Sequence, residues 1–129
     1  MHIYKQIISI LTILTFLFLG CADDSNPADS NNGGGDFTVT VGSGTSPQYS
    51  WSAGDAFSVS VVRTGAPTTI VWGIATPGQS NIASPATHGV TPIGAIPTAQ
   101  TEIALTAGVE YRVSVSLLDG KTGYTDFTP

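Results

Sequence analysis

Residues 105–115 read LTAGVEYRVSV, and this stretch decides the fold. Apolar side chains at positions 111, 113, 115 and 117 alternate with polar ones at 112, 114 and 116. A period of two is typical of a strand that buries one face and exposes the other. The preceding Ala107-Gly108 is a turn signal. We therefore expect an antiparallel strand that begins at Tyr111 and follows directly on a turn.

Other stretches repeat this alternation, with turn signals between them. From Cys21 onward the chain has ten Val, six Ile and fifteen Thr but only three Leu, and β-branched residues favour a pleated sheet over a helix. The sequence predicts an all-β fold, an antiparallel β-sandwich of about seven strands. Besides the strand at Tyr111, the predicted strands are Phe37–Val41, a short edge strand around Tyr49–Trp51, Phe57–Val61, Ile70–Ala75, Ile103–Leu105 and Tyr124–Phe127.

The least regular part of the domain is the connection from Thr76 to Gln100. It holds four of the eight Pro residues of the chain. A connection of this length in a small domain is either a functional loop or contains an unrecognised strand. Its isoleucines and Val90 indicate that it packs onto the sandwich, and a short extra strand near Asn81–Ser84 is one option.

The run LTAGVEYRVSV resembles the L-x-x-G-x-x-Y-x-V-x-V run of fibronectin type III domains. The resemblance implies a fibronectin-III-like or immunoglobulin-like sandwich with a tyrosine corner. Leu105 would be buried at the end of one strand, Gly108 would take the turn, and Tyr111 would be the corner residue. Phe57–Arg63 would then be strand B, which in the family carries a Trp, and Trp72 on the next strand would fill the core instead.

The N-terminal segment indicates export. Lys5 precedes an apolar run from Ile7 to Leu19, which is too short to span a bilayer and suits the apolar core of a signal peptide. The run ends in Phe18-Leu19-Gly20-Cys21, which resembles the lipobox of bacterial lipoproteins. The resemblance implies cleavage after residue 20 and lipid on Cys21, the only cysteine of the chain. An ordinary signal peptide with a chance cysteine and an uncleaved anchor are the alternatives.

The lipidated Cys21 opens a segment, 21–36, that reads as a flexible tether rich in Asp, Asn and Gly. The folded domain is then 37–129. Ala22 stands where an Asp would retain a lipoprotein in the inner membrane, and Asp23-Asp24 resembles acidic surface-export signals. We therefore expect an exported, lipid-anchored protein at the outer membrane, facing either the periplasm or the exterior.

Few residues in the domain carry chemistry. Charged residues make up 10% of the chain and its net charge is −5, which argues against nucleic acid as a partner. His88 is the only His after Cys21, so no metal-ligand cluster and no cofactor site is expected. A catalytic Ser-His-Asp triad could draw on Ser84, His88 and Asp55. The sequence lacks the G-x-S-x-G motif that holds the nucleophilic serine in many such enzymes. His88 is interpreted as a loop residue and the protein as a non-enzyme.

The aromatic side chains leave one positive option. Tyr49, Trp51 and Tyr124, with Trp72, are candidates for a ring platform that stacks on sugars, although aromatics more often serve burial. The leading hypothesis is a membrane-anchored lipoprotein whose sandwich is a non-catalytic binding or structural module for a protein or glycan ligand. A carbohydrate-binding lipoprotein of a glycan-uptake system and a subunit of a surface fibre or adhesin are the alternatives.

Overall fold

The computed structural model describes residues 33–79 and 81–129, and within these ranges every regular element is a β-strand. All the pairings are antiparallel. The strands are β1 (Gly34–Gly35), β2 (Val39–Val41), β3 (Gln48–Trp51), β4 (Ser58–Arg63), β5 (Ala66–Ala75), β6 (Ala86–Thr87), β7 (Ile96–Gln100), β8 (Tyr111–Ser116) and β9 (Thr122–Phe127).

Two sheets pack face to face, and the predicted all-β antiparallel sandwich is confirmed. The large sheet has the order β1-β9-β8-β4-β5-β7 and the small sheet the order β2-β3-β6. In β8, Tyr111, Val113 and Val115 are buried between half-buried polar neighbours, as the alternation predicted. Tyr49 of the small sheet lies 6.1 Å from Trp72 and 5.8 Å from Phe127 of the large sheet, measured between ring centroids. These rings hold the two sheets together by apolar burial.

The prediction of a strand at Ile103–Leu105 is wrong. The edge strand is β7, which pairs with β5, and residues 103–105 lie in no strand. The loop before β7 ends in a turn, in which the Ala95 N–H donates to the Pro92 carbonyl. The edge strand therefore begins earlier in the chain than the apolar residues at 103–105 indicate. Pro97 is tolerated in β7 because this strand lies at the sheet edge.

The region around Ile82 forms an isolated bridge to Ala56, and the extra strand of the small sheet is β6, a few residues further on. β4 lies between β8 and β5 in the large sheet. β3, with Trp51, takes the position between β2 and β6.

The N-terminal boundary of the domain lies earlier than predicted. Gly34 pairs with Tyr124 and Gly35 with Gly123, so β1 extends the large sheet. The Asp36 N–H donates to the Thr122 carbonyl at 2.6 Å, and the Thr122 N–H donates to Asp36 Oδ2 at 2.9 Å. The prediction of a flexible tether is therefore wrong for residues 34–36. Residues 1–32, which include Cys21 and the predicted signal peptide, lie outside the described residues.

Glycine is required at Gly35 for two reasons. Its φ of +103° is unfavourable for residues with a side chain, and a Cβ there would collide with the Thr122 carbonyl. Gly44 has a similar φ of +88° but no atom within 4 Å of a Cβ placed on it. An alanine at Gly44 would therefore meet only the strain of the positive φ, whereas an alanine at Gly35 would meet the same strain and a steric collision.

We predict that Gly44→Ala lowers the free energy of unfolding by about 1 kcal/mol, the cost of a left-handed residue with a Cβ. Gly35→Ala should lower it by at least about twice as much, because the collision adds to that cost. Urea unfolding of both variants in the chain from residue 22 measures this. Equal effects of the two substitutions would mean that β1 does not pack on β9.

Candidate functional site

Tyr111 opens β8 and its hydroxyl joins two upstream groups. The hydroxyl oxygen accepts a hydrogen bond from the Thr106 N–H at 3.0 Å, the back-bond to upstream backbone that defines a tyrosine corner. The hydroxyl also donates to Glu102 Oε2 at 2.7 Å. Leu105, which the resemblance placed in the core, is buried. The Gly108 N–H donates to the Pro129 carbonyl at 3.2 Å, so the turn before β8 is fixed on the C-terminus.

Glu102 connects three strands of the large sheet. Its N–H donates to the Val71 carbonyl of β5 at 2.9 Å. Its Oε1 pairs with the guanidinium of Arg63, which lies at the end of β4. The oxygen is 2.6 Å from Nη2 and 2.7 Å from Nε. Its Oε2 receives the Tyr111 hydroxyl of β8. A carboxylate on the chain between β7 and β8 thus fixes β4, β5 and β8 relative to one another.

His88 links the small sheet to the same residue. Its Nε2 lies 2.8 Å from the Glu102 backbone carbonyl, and its Nδ1 lies 2.9 Å from the Tyr49 hydroxyl. A carbonyl only accepts, so Nε2 carries the proton and Nδ1 accepts from Tyr49. Burial lowers the pKa of His88 below its usual value, and burial raises the pKa of Tyr49. We call Arg63, Glu102, Tyr111, His88 and Tyr49 the Glu102 network.

The interpretation of His88 as an ordinary loop residue misses its burial, because only 2% of its surface is exposed. Ser84, Asp55 and His88 do not form a triad. Ser84 Oγ accepts from the Trp51 N–H at 2.9 Å, Asp55 is exposed, and both His88 nitrogens bond to other groups. The imidazole is thus a structural hydrogen-bonding group between the two sheets.

Two of the three aromatics assigned to a ligand platform are in the core, so that assignment is wrong for them. Tyr49 is 0% and Trp51 7% exposed. Both lie on β3 with one residue between them, so both point between the sheets. The indole Nε1 of Trp51 donates to the Gly54 carbonyl at 2.6 Å. Neither ring presents a face to solvent on which a sugar would stack.

Tyr124 is half-buried on the outer face of the large sheet, and its ring is in contact on more than one side. The Arg112 guanidinium carbon lies 4.4 Å from the ring centroid. A Cβ at Gly34, the cross-strand partner, would lie 2.5–2.9 Å from Oη, Cζ and Cε1 of the ring. The ring therefore covers an edge glycine, an arrangement that stabilises glycine in a strand. Little of its surface is left for a ligand.

One concave region contains an ion pair of the chain itself, and another contains a buried hydroxyl with no hydrogen-bond partner among the described residues. A depression of about 360 Å³ includes Glu110, Arg112 and Asp126 in its lining. Arg112 donates to both oxygens of Asp126, at 2.6 and 2.8 Å, and this hydrogen bonding raises the pKa of Arg112. A groove of about 580 Å³ is lined by residues 33–40 and Thr125. The unpaired hydroxyl is Thr125 Oγ1, in the lining of this groove.

The opposite edge of the sandwich exposes aliphatic side chains. Ile93 is fully exposed, and Val90, Ile96 and Ile103 are each more than half exposed. We call these four residues the aliphatic surface. Val90 and Ile93 lie in the loop that joins β6 to β7, and Ile96 opens β7. Ile103 packs on this loop, because a Cβ at Gly89 would lie 3.1 Å from its Cγ2. The prediction that the isoleucines and Val90 of this connection pack onto the sandwich is therefore wrong for Val90, Ile93 and Ile96, whereas Ile82 is buried.

The part of the chain described here, residues 33–79 and 81–129, contains no helix long and apolar enough to cross a bilayer. The same residues bring no three His, Cys, Asp or Glu side chains together as a metal site would. Comparison with protein-family models, with curated proteins and with solved structures finds no match for this chain.

We predict that Tyr111→Phe lowers the free energy of unfolding by about 2 kcal/mol, since it removes a hydrogen bond to a carboxylate and one to a backbone N–H. Tyr124→Phe is the matched control, because it makes the same change on a half-buried tyrosine of the outer face. It should stay within about 0.5 kcal/mol of the parent chain. Urea unfolding measures both, and equal losses would contradict a special role of the Tyr111 hydroxyl.

The lowered pKa of His88 predicts a pH dependence of stability. The unfolded imidazole has a pKa near 6.5, so below that pH the unfolded chain binds a proton that the folded chain resists. Stability is therefore fully present above this pH and is lost as the pH falls below it. The limiting slope for one proton is about 1.4 kcal/mol per pH unit.

Chemical denaturation of the chain from residue 22, between about pH 7.5 and about pH 5, tests this in a window above the ordinary range of carboxylates. His88 is the only imidazole in that chain. His88→Phe should be less stable at neutral pH and should lose most of the slope in this window. An unchanged slope in the variant would assign the pH dependence to another group.

Proposed function

We propose that the chain is an exported lipoprotein whose β-sandwich is a non-catalytic binding or structural module. The observation that carries this proposal is the aliphatic surface. Four large aliphatic side chains are exposed at one edge of the sandwich, whereas the imidazole and the two buried candidate aromatics of β3 are engaged in the interior. Exposed apolar patches commonly mark sites of contact with other molecules.

The N-terminal sequence supports the anchor. An apolar run of signal-peptide length ends at Gly20-Cys21, and this cysteine is the only one in the chain. An exported protein with one thiol has no disulfide partner for it within the same chain, and lipidation gives the residue a function. The acidic Asp23-Asp24 and the absence of Asp at position 22 favour the outer membrane.

Two structural features support the resemblance to fibronectin type III domains. Tyr111 makes the backbone contact of a tyrosine corner. Trp51 lies on β3, the strand that stands where strand B would stand when β4, β8 and β9 are matched to C, F and G. Under this match, Trp51 corresponds to the Trp that the family carries on strand B.

A carbohydrate-binding lipoprotein is the less favoured candidate because its ring platform is not assembled from Tyr49, Trp51 and Tyr124. A screen of oligosaccharides against the chain from residue 22, monitored by tryptophan fluorescence, separates the two functions. We expect no saturable change. Saturable binding that survives an Asp substitution at Ile93 would favour the carbohydrate function over the module with an aliphatic contact.

We predict that Cys21→Ala abolishes incorporation of radiolabelled palmitate and releases the exported chain from the membrane fraction. The thiol of residue 21 is the atom to which the lipid would be attached. Leu118→Ala is a control that leaves the N-terminal segment intact and should retain the label. Undiminished labelling or membrane retention of Cys21→Ala would show that the anchor is not lipid on this cysteine.

A further inference from the structure

The outer edge of β2 presents backbone groups that no described strand receives. The Gly42 N–H donates to the Gln48 carbonyl at 2.8 Å. Hydrogen-bonded pairs alternate along an antiparallel ladder, so the next such pair joins Thr40 to its partner on β3. The N–H and C=O groups of Val39 and Val41 therefore point away from β3. Among the described residues, β3 is the one strand that pairs with β2.

The other edges of the two sheets carry features that hinder pairing with a further strand. β7 contains Pro97, and its pairing with β5 shifts register between Gly73 and Ile74. β1 and β6 have two residues each. Short strands, prolines and bulges are means by which proteins protect their sheet edges. The segment 38–42 has no proline and no charged side chain, and its register with β3 is unbroken.

A groove lies along this unprotected edge. It has a volume of about 580 Å³ and is lined by residues 33–40 and Thr125, so β1 of the large sheet and β2 of the small sheet both border it. We call it the β2 groove. Thr125 is fully buried, and its Oγ1 has no hydrogen-bond partner among the described residues. A buried hydroxyl without a partner is unfavourable, and a ligand with a hydrogen-bonding group would relieve this.

The exposed backbone groups determine the chemistry of the occupant. Val39 and Val41 each present one donor and one acceptor, about 7 Å apart along the strand. An extended peptide that lies antiparallel to β2 matches this spacing with its own backbone, as in recognition by strand addition. Its residues opposite Val39 and Val41 would face inward with them, and the residue opposite Thr40 would face outward. The matching sequence therefore alternates apolar and polar side chains.

We propose that the β2 groove binds an extended peptide segment of a partner protein, which adds a fourth strand to the small sheet and places a polar group against Thr125 Oγ1. The unpaired backbone groups of β2 and the unpaired hydroxyl in the same groove carry this choice of ligand. The site is a second contact of the proposed binding module. It involves neither the aliphatic surface nor the lipid anchor.

The probe is a synthetic peptide, FTVTV, which has the sequence of residues 37–41 with a lysine added at each end for solubility. Titration into the isotope-labelled chain from residue 22 is followed by amide NMR. The amide signals of Val39 and Val41 should shift saturably, and their hydrogen exchange should slow by about tenfold when most of the chain is bound. The Gly44 amide, in the turn after β2, should be unaffected.

Two controls test for backbone pairing. The same peptide, N-methylated at the residues that face β2, keeps its side chains but lacks the two donors, so it should not bind. Val41→Pro removes an N–H that points outward, which an edge strand tolerates, so the chain should stay folded and lose peptide binding. Thr40→Pro removes an N–H that bonds to β3 and should destabilise the chain.

Thr125→Val tests the contact with the hydroxyl. This variant should be at least as stable as the parent chain, because it loses an unpaired buried hydroxyl. Three further peptides carry Asn in place of one inward-facing residue. One of them should bind the parent about fivefold more tightly than FTVTV does, the equivalent of one net hydrogen bond. The Thr125→Val variant should show no such preference.

Several results would overturn the proposal. These are no saturable shift at Val39 and Val41, equal binding of the methylated peptide, unchanged binding by Val41→Pro, or an Asn preference that survives Thr125→Val. Protection of the two amides without peptide would also overturn it. Protection in dilute chain would assign the edge to the chain's own upstream residues, and protection that rises with protein concentration would assign it to a second copy. Failure would contradict this site alone, since neither the anchor nor the aliphatic surface enters the experiment.

Discussion

The relative placement of β4, β5 and β8 depends on the hydrogen bonds and the ion pair of Glu102. One carboxylate receives Arg63 from β4 and the Tyr111 hydroxyl from β8, and the backbone of the same residue bonds to β5 and to His88. Through His88 the connection continues to Tyr49 in the small sheet. Side chains of types that often act in catalysis thus join strands that are distant along the chain. A buried group in such a network costs most when its partner is removed.

Because these polar side chains bond to one another within the chain, they limit the chemistry available at the surface. The imidazole and the β3 aromatics lie inside, and Arg112 is bound to Asp126 on the outer face of the large sheet. The His88 ring also fixes the start of the loop that carries Val90 and Ile93, so the Glu102 network supports the aliphatic surface directly. The interior network and the exposed edge are therefore connected through His88.

Much of the sandwich was predictable because alternation reports which face of a strand is buried. It located β4, β5, β8 and β9, and the LTAGVEYRVSV run placed Tyr111. The signal for β3 was also present: Tyr49 and Trp51 are two residues apart and must share a face, which favours burial of both. The ring platform was only one option beside burial, and this spacing favours burial.

Other features of the structure have no signature in the local sequence. The role of Glu102 depends on contacts with Arg63 and Tyr111, which are distant in sequence, and no periodicity reports such contacts. β1 was missed because glycines without side chains resemble a linker, whereas here their lack of a Cβ permits approach to Thr122 and Tyr124. The position of β7 was predicted wrongly because its first residue is set by the turn at Pro92 and not by apolar alternation.

The measurement that tests the central claim most directly is a double-mutant cycle between Glu102→Gln and Tyr111→Phe, with unfolding free energies from urea denaturation. If Glu102 joins the strands as described, the two substitutions should be coupled by at least about 1 kcal/mol. Asp55→Asn, at an exposed turn, should be additive with Tyr111→Phe. Additivity of the Glu102 and Tyr111 substitutions within about 0.3 kcal/mol would contradict the claim that this carboxylate joins the strands of the large sheet.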